Sequence, residues 1–119
     1  MKIRGVDFIF YNVSNLKKSV EFYRDILGLK LNAKPSESWA EFETGNLAFA
    51  IGVYGPVANG GGQVAFAVGD IKKALEFLKS KKVKIVQELY EANVCFMAIV
   101  ADPDGNQFML HQRKDGTVG

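Results

Sequence analysis

The sequence predicts an α+β fold made of two βαβββ repeats. Three observations carry that expectation: an internal repeat, strand-like alternation that runs into helical periodicity, and turn chemistry before the last strand. Residues 8–22 align without a gap on residues 63–77, a constant offset of 55. Val13, Lys17, Lys18, Glu21 and Phe22 match Val68, Lys72, Lys73, Glu76 and Phe77 identically. Residues 45–50 align on residues 105–110 at an offset of 60, through a shared Gly-Asn. Two matches in the same order mark a duplicated supersecondary unit.

Each unit opens on a strand. Ile9, Tyr11 and Val13 alternate with Phe8, Phe10 and Asn12, and Val64, Phe66 and Val68 alternate with Gln63, Ala65 and Ala67. A helix follows each strand, with Asn15 and Asp70 placed as N-caps for its unpaired first-turn N–H groups. Leu16, Val20, Tyr23 and Leu27 recur at helical spacing in the first, and Ile71, Ala74, Leu75 and Leu78 in the second. Gly28 stands where a left-handed residue stops the first helix. Lys17, Lys18, Lys72, Lys73, Lys79, Lys81 and Lys82 read as solvated helix faces. Strands are expected over 30–33, 39–44 and 47–54 in the first unit, and over 84–89, 94–101 and 107–112 in the second. Asp102-Pro103-Asp104-Gly105 supplies the turn before the last strand, and residues 55–62 read as a flexible linker.

Composition narrows the function. A length of 119 residues makes a single domain, its two repeats spanning about 3–55 and 62–114. Lys plus Arg is 15 against 13 for Asp plus Glu, and a net charge of +2 does not point to a nucleic-acid or membrane-surface partner. One cysteine, Cys95, excludes an internal disulfide and a paired-cysteine zinc site. One histidine, His111, excludes any site needing two imidazoles from one chain. The N-terminal residues carry charge and no apolar run, so a cytoplasmic protein is expected. Gly60-Gly61-Gly62 precedes a strand, which is not the context of a phosphate-binding turn, and no serine sits in a nucleophile elbow.

Two βαβββ units with Val13-Ser14-Asn15-Leu16, Ser19-Val20-Glu21-Phe22-Tyr23, Leu27-Gly28 and Asp102-Pro103-Asp104-Gly105-Asn106 resemble the vicinal oxygen chelate superfamily of glyoxalases, bleomycin-resistance proteins and extradiol dioxygenases. The resemblance implies curved mixed sheets around a concave cavity, helices on the convex face, and pairing into a homodimer. It also implies four metal-ligand positions, which fall here on Phe8, Phe49, Gln63 and Met109. Metal-binding relatives carry His, Glu or Gln there. A divalent ion needs hard oxygen or imidazole donors, and only the Gln63 amide offers one. No metal and no cofactor are therefore expected.

With those positions facing the cavity, alternation brings Phe10, Asn12, Leu47, Ile51, Ala65, Ala67, Gln107 and His111 to the same side, with Ile9, Tyr11, Val13, Phe66, Phe108 and Leu110 toward the helices. The candidate ligand-binding residues are Phe8, Phe10, Asn12, Trp39, Phe49, Ile51, Gln63, Met109 and His111. Apolar walls with sparse polar groups suit an apolar or aromatic small molecule. Glu41 joins them if its strand turns that side inward together with Trp39 and Glu43, and Cys95 reads as a small buried hydrophobe beside Met97.

Three functions fit these residues. The first is a metal-free small-molecule-binding protein of glyoxalase/bleomycin-resistance type. The second is a glyoxalase-like lyase, isomerase or dioxygenase, with a non-standard metal site from Gln63, His111 and Glu41, or with His111 as base. The third is a non-catalytic dimeric partner module whose cavity is filled by its own side chains.

Overall fold

The computed structural model describes residues 1–2, 8–57 and 63–118. Most of the expected linker, from 58 to 62, and the segment 3–7 lie outside the described residues. The chain divides into two compact units, residues 1–58 and 59–119.

The first unit holds strand β1 (Phe8–Asn12), helix α1 (Leu16–Glu21), a π-helical turn (Phe22–Ile26), and strands β2 (Lys30–Ser36), β3 (Trp39–Glu43) and β4 (Ala48–Gly52). The second holds β5 (Ala65–Ala67), α2 (Ile71–Ser80), β6 (Ile85–Glu91), β7 (Cys95–Ala101) and β8 (Gln107–Arg113). The sheet orders are β1-β4-β3-β2 and β5-β8-β7-β6. The first strand of each unit runs parallel to the last, and the other pairs are antiparallel. The βαβββ repeat read from the sequence is the observed topology of both units.

Both helices start at the expected caps. The Asn15 side chain accepts from Lys18 N at 3.0 Å, and the Asp70 side chain from Lys73 N at 3.1 Å. Helix α1 does not run on as α-helix to Gly28. Leu27 N donates to Phe22 O across five residues, which widens the last turn. That turn carries two adjacent buried rings, Phe22 and Tyr23, with centroids 5.0 Å apart. Gly28, at φ +75°, then ends the helix in the left-handed conformation. All seven lysines assigned to helix faces are exposed.

The core of each unit lies between helix and sheet. In the first unit Tyr23 meets Phe49 at 4.9 Å and Phe42 at 5.9 Å between ring centroids, and all three are buried. In the second, Ile71, Leu75 and Leu78 of α2 are buried, as are Phe108 and Leu110 of β8. The Gln112 side chain reaches α2 and accepts from Ile71 N at 2.8 Å.

Register decides which side chains share a face, because residues directly opposite in a sheet point the same way. Phe8 lies opposite Ala48, Ile9 opposite Phe49, Phe10 opposite Ala50 and Tyr11 opposite Ile51. Phe49 and Ile51 therefore share the helix face with Ile9 and Tyr11, and the Tyr11 and Phe49 rings are 5.4 Å apart. This corrects the expectation that Phe49 and Ile51 face away from the helix with Phe8. The cause is a difference between the two hairpin loops. The β3–β4 loop encloses residues 44–47 and the β7–β8 loop encloses 102–106, one residue more. Val13 N donates to Gly52 O and Val68 N to His111 O, so the last strands repeat at 111 − 52 = 59, not at the 60 of the Gly-Asn match. The repeat-equivalent of Met109 is thus Ala50, and a one-residue slip exchanges the faces.

Candidate functional site

The face of the first sheet that points away from its helix is aromatic. Trp39 of β3 lies opposite Gly52 of β4, which lies opposite Asn12 of β1. Phe10 stacks on the Trp39 indole with centroids 5.1 Å apart and planes 8° from parallel. Phe8 meets it edge-on at 5.7 Å, and Tyr54 approaches at 5.9 Å. Such pairs favour a fixed relative orientation. Yet Phe8 remains 45% exposed and Tyr54 64% exposed, so the cluster offers ring surface to solvent.

Polar groups fix the cluster. Trp39 Nε1 donates to Glu41 Oε1 at 3.1 Å, and Tyr54 N donates to Asn12 Oδ1 at 3.2 Å. Glu41 therefore does face this side with Trp39, and it is half-buried. Gly52 makes the close approach of the rings possible. A Cβ there would lie 2.8 Å from Ser38 O, 2.9 Å from Tyr54 Cδ2 and 3.0 Å from Phe10 Cε2. Of the candidate residues in this unit, the structure brings together Phe8, Phe10, Asn12 and Trp39, and sends Phe49 and Ile51 to the helix side. The sequence reading did not include Tyr54 or Gly52. The signal that could have found them is Gly52-Val53-Tyr54, a glycine and an aromatic two residues apart at the end of the last strand.

In the second unit the corresponding face carries Gln63, Met109 and His111. Ala65 lies opposite Met109 and Ala67 opposite His111, while Met97 and Ile99 of β7 lie opposite His111 and Met109. Gln63 Nε2 donates to Gln107 Oε1 at 3.0 Å. Cys95 is a buried free thiol. Among the described residues Asp25 is held below the usual carboxylate range by Arg24, Glu91 by Lys114 and Asp115 by Thr117, each chiefly through a side-chain hydrogen bond. All three are surface contacts that add little to stability.

The sequence profile of the glyoxalase/bleomycin resistance protein/dioxygenase superfamily matches residues 5–110. The chain belongs to that superfamily. Over 125 residues it is 27% identical to a lactoylglutathione lyase of Neisseria meningitidis, covering 87% of each chain. It is 30% identical over 121 residues to lactoylglutathione lyase GLX1 of Arabidopsis thaliana, covering 88% of this chain and 43% of that protein. It is 47% identical over 49 residues to metallothiol transferase FosB of Staphylococcus haemolyticus. The match spans only 34% of that transferase. Among solved structures, TnmS3, described as an antibiotic-binding protein from Streptomyces sp. CB03234, superposes with a TM-score of 0.79 at 21% identity, covering 96% of this chain and 99% of that one.

The superfamily's divalent metal finds poor donors here. Phe8 offers no lone pair, and Met109 offers only a soft thioether. Ala50, which takes the place first assigned to Phe49, offers nothing. Gln63 contributes a neutral amide whose N–H already binds Gln107. Among the described residues no three His, Cys, Asp or Glu side chains are grouped to hold an ion. The residues present do not fit a divalent metal at these positions.

Proposed function

We propose that this superfamily member is a binding protein for a flat, apolar or aromatic small molecule, and that the open face around Trp39 takes that ligand without a divalent metal. The observation that carries the reading is the Trp39 cluster itself. Its indole is held by a stacked ring and a carboxylate, and it is flanked by exposed Phe8 and Tyr54. Preorganised rings reduce the ordering cost of binding. Stacking on a flat ligand then adds to the apolar area removed from water. The donor chemistry at Phe8, Ala50, Gln63 and Met109 supports binding over a metal-dependent reaction. A homodimer in the cytoplasm completes the reading. Among the described residues no helix is long and apolar enough to cross a membrane.

Calorimetric titration of chelator-treated protein with quinoline, a flat uncharged aromatic, tests the proposal. The expected result is saturable binding that Trp39→Leu weakens by about tenfold or more, with circular dichroism showing the variant folded. Binding that requires added Mg, Mn, Ni or Zn would overturn it, as would binding indifferent to Trp39.

A further inference from the structure

The two acidic side chains on the open face of the first unit are balanced differently. Glu43 lies opposite Lys30, and their charged atoms are 3.6 Å apart. Glu41 lies opposite Ala33 on one side and Ala50 on the other, so methyl groups stand where a cationic side chain would neutralise it. The other lysine of β2, Lys34, is engaged with Glu37 at 3.0 Å. Among the described residues no ion pair includes Glu41. Its hydrogen-bond partner is the neutral indole N–H of Trp39. A half-buried carboxylate with only a neutral donor keeps its field, and low-dielectric rings beside it strengthen that field. The rings of Trp39, Phe10, Phe8 and Tyr54 add negative quadrupole faces of their own.

We infer that the ligand of this face is an organic cation: a flat aromatic body bearing a quaternary or protonated nitrogen placed toward Glu41. The inference rests on the proposed binding role for its aromatic body and adds the charge. Taken from composition alone, a net charge of +2 argues against a strongly cationic ligand, but the local charges decide. The exposed Lys17 and Lys18 belong to α1, which packs on the opposite face of the sheet. Charges in solvent are screened within about 8–10 Å at physiological salt.

The test compares N-methylquinolinium with quinoline by calorimetry near neutral pH, on the wild-type chain and on Glu41→Gln. Gln keeps an acceptor oxygen for the Trp39 N–H, so the indole stays placed. Wild-type protein should bind the cation about tenfold tighter than the neutral ring. Glu41→Gln should abolish that preference, so that the variant binds the cation and the neutral ring with affinities within about twofold of each other. Added salt should weaken only the cation. Equal affinities in the wild type, or a preference that survives Glu41→Gln, would overturn the inference and leave the binding reading standing. Failure of both compounds to bind would remove the binding reading, and the inference with it.

Discussion

Phe49 and Phe8 carry the same side chain on neighbouring strands of one sheet, at opposite faces. Phe49 is 2% exposed and touches Tyr11, Tyr23 and Phe42, whereas Phe8 is 45% exposed and meets Trp39. Phe49→Ala should therefore cost about 3–5 kcal/mol in urea unfolding, because a large ring leaves a cavity under the helix. Phe8→Ala should cost about 1 kcal/mol, because nearly half of the residue is already in solvent. The same Phe8→Ala variant should weaken quinoline binding several-fold. Equal stability losses would contradict the assigned faces. The shared face of Phe8 and Phe10 was legible by parity along one strand, whereas the facing of Trp39 was not, because alternation alone does not say which way its strand turns. That of Phe49 was not either, because its parity depends on a loop whose length the sequence does not display.

That loop is the matter at the scale of elements. Both hairpins contain Gly-Asn, and matching the two pairs aligns the following strands with an error of one residue. The loops close by different means. In the shorter one the Thr44 hydroxyl donates to the Leu47 carbonyl. In the longer one the Asp102 carboxylate accepts from Asp104 N, Asn106 N and Asn106 Nδ2, each at 2.9–3.0 Å. Asp102 is 5% exposed, so its loss strands buried donors. Asp102→Ala should lower stability by about 2–3 kcal/mol, read as a shift in the urea midpoint with little change in slope. An unshifted midpoint would show that Asp102 does not hold the turn. The helices were easier to read, since their caps and apolar faces are local signals. The π-helical turn was not legible. It reflects a tertiary demand, the burial of adjacent Phe22 and Tyr23, that helical spacing does not encode.

For the whole molecule, duplication explains both what was readable and what was lost. The repeat announces the topology because each half must satisfy the same strand and helix constraints. The resemblance placed four metal-ligand positions on Phe8, Phe49, Gln63 and Met109, and the register moves the second to Ala50. The single histidine and single cysteine of the composition accord with a protein whose ligand site rests on rings. The facing of Glu41 was beyond reach from sequence, as it follows from the β3–β4 register, and so were the alanines that stand opposite it on two other strands. The chain's one tryptophan makes the central claim directly measurable. Its indole N–H gives a single side-chain signal in a proton–nitrogen correlation spectrum. In metal-stripped, uniformly labelled protein, titration with N-methylquinolinium should move that signal progressively to saturation, with backbone signals of β1 and β3 moving alongside. An indole signal that stays fixed while the ligand binds elsewhere, or moves only after a divalent metal is restored, would contradict the account.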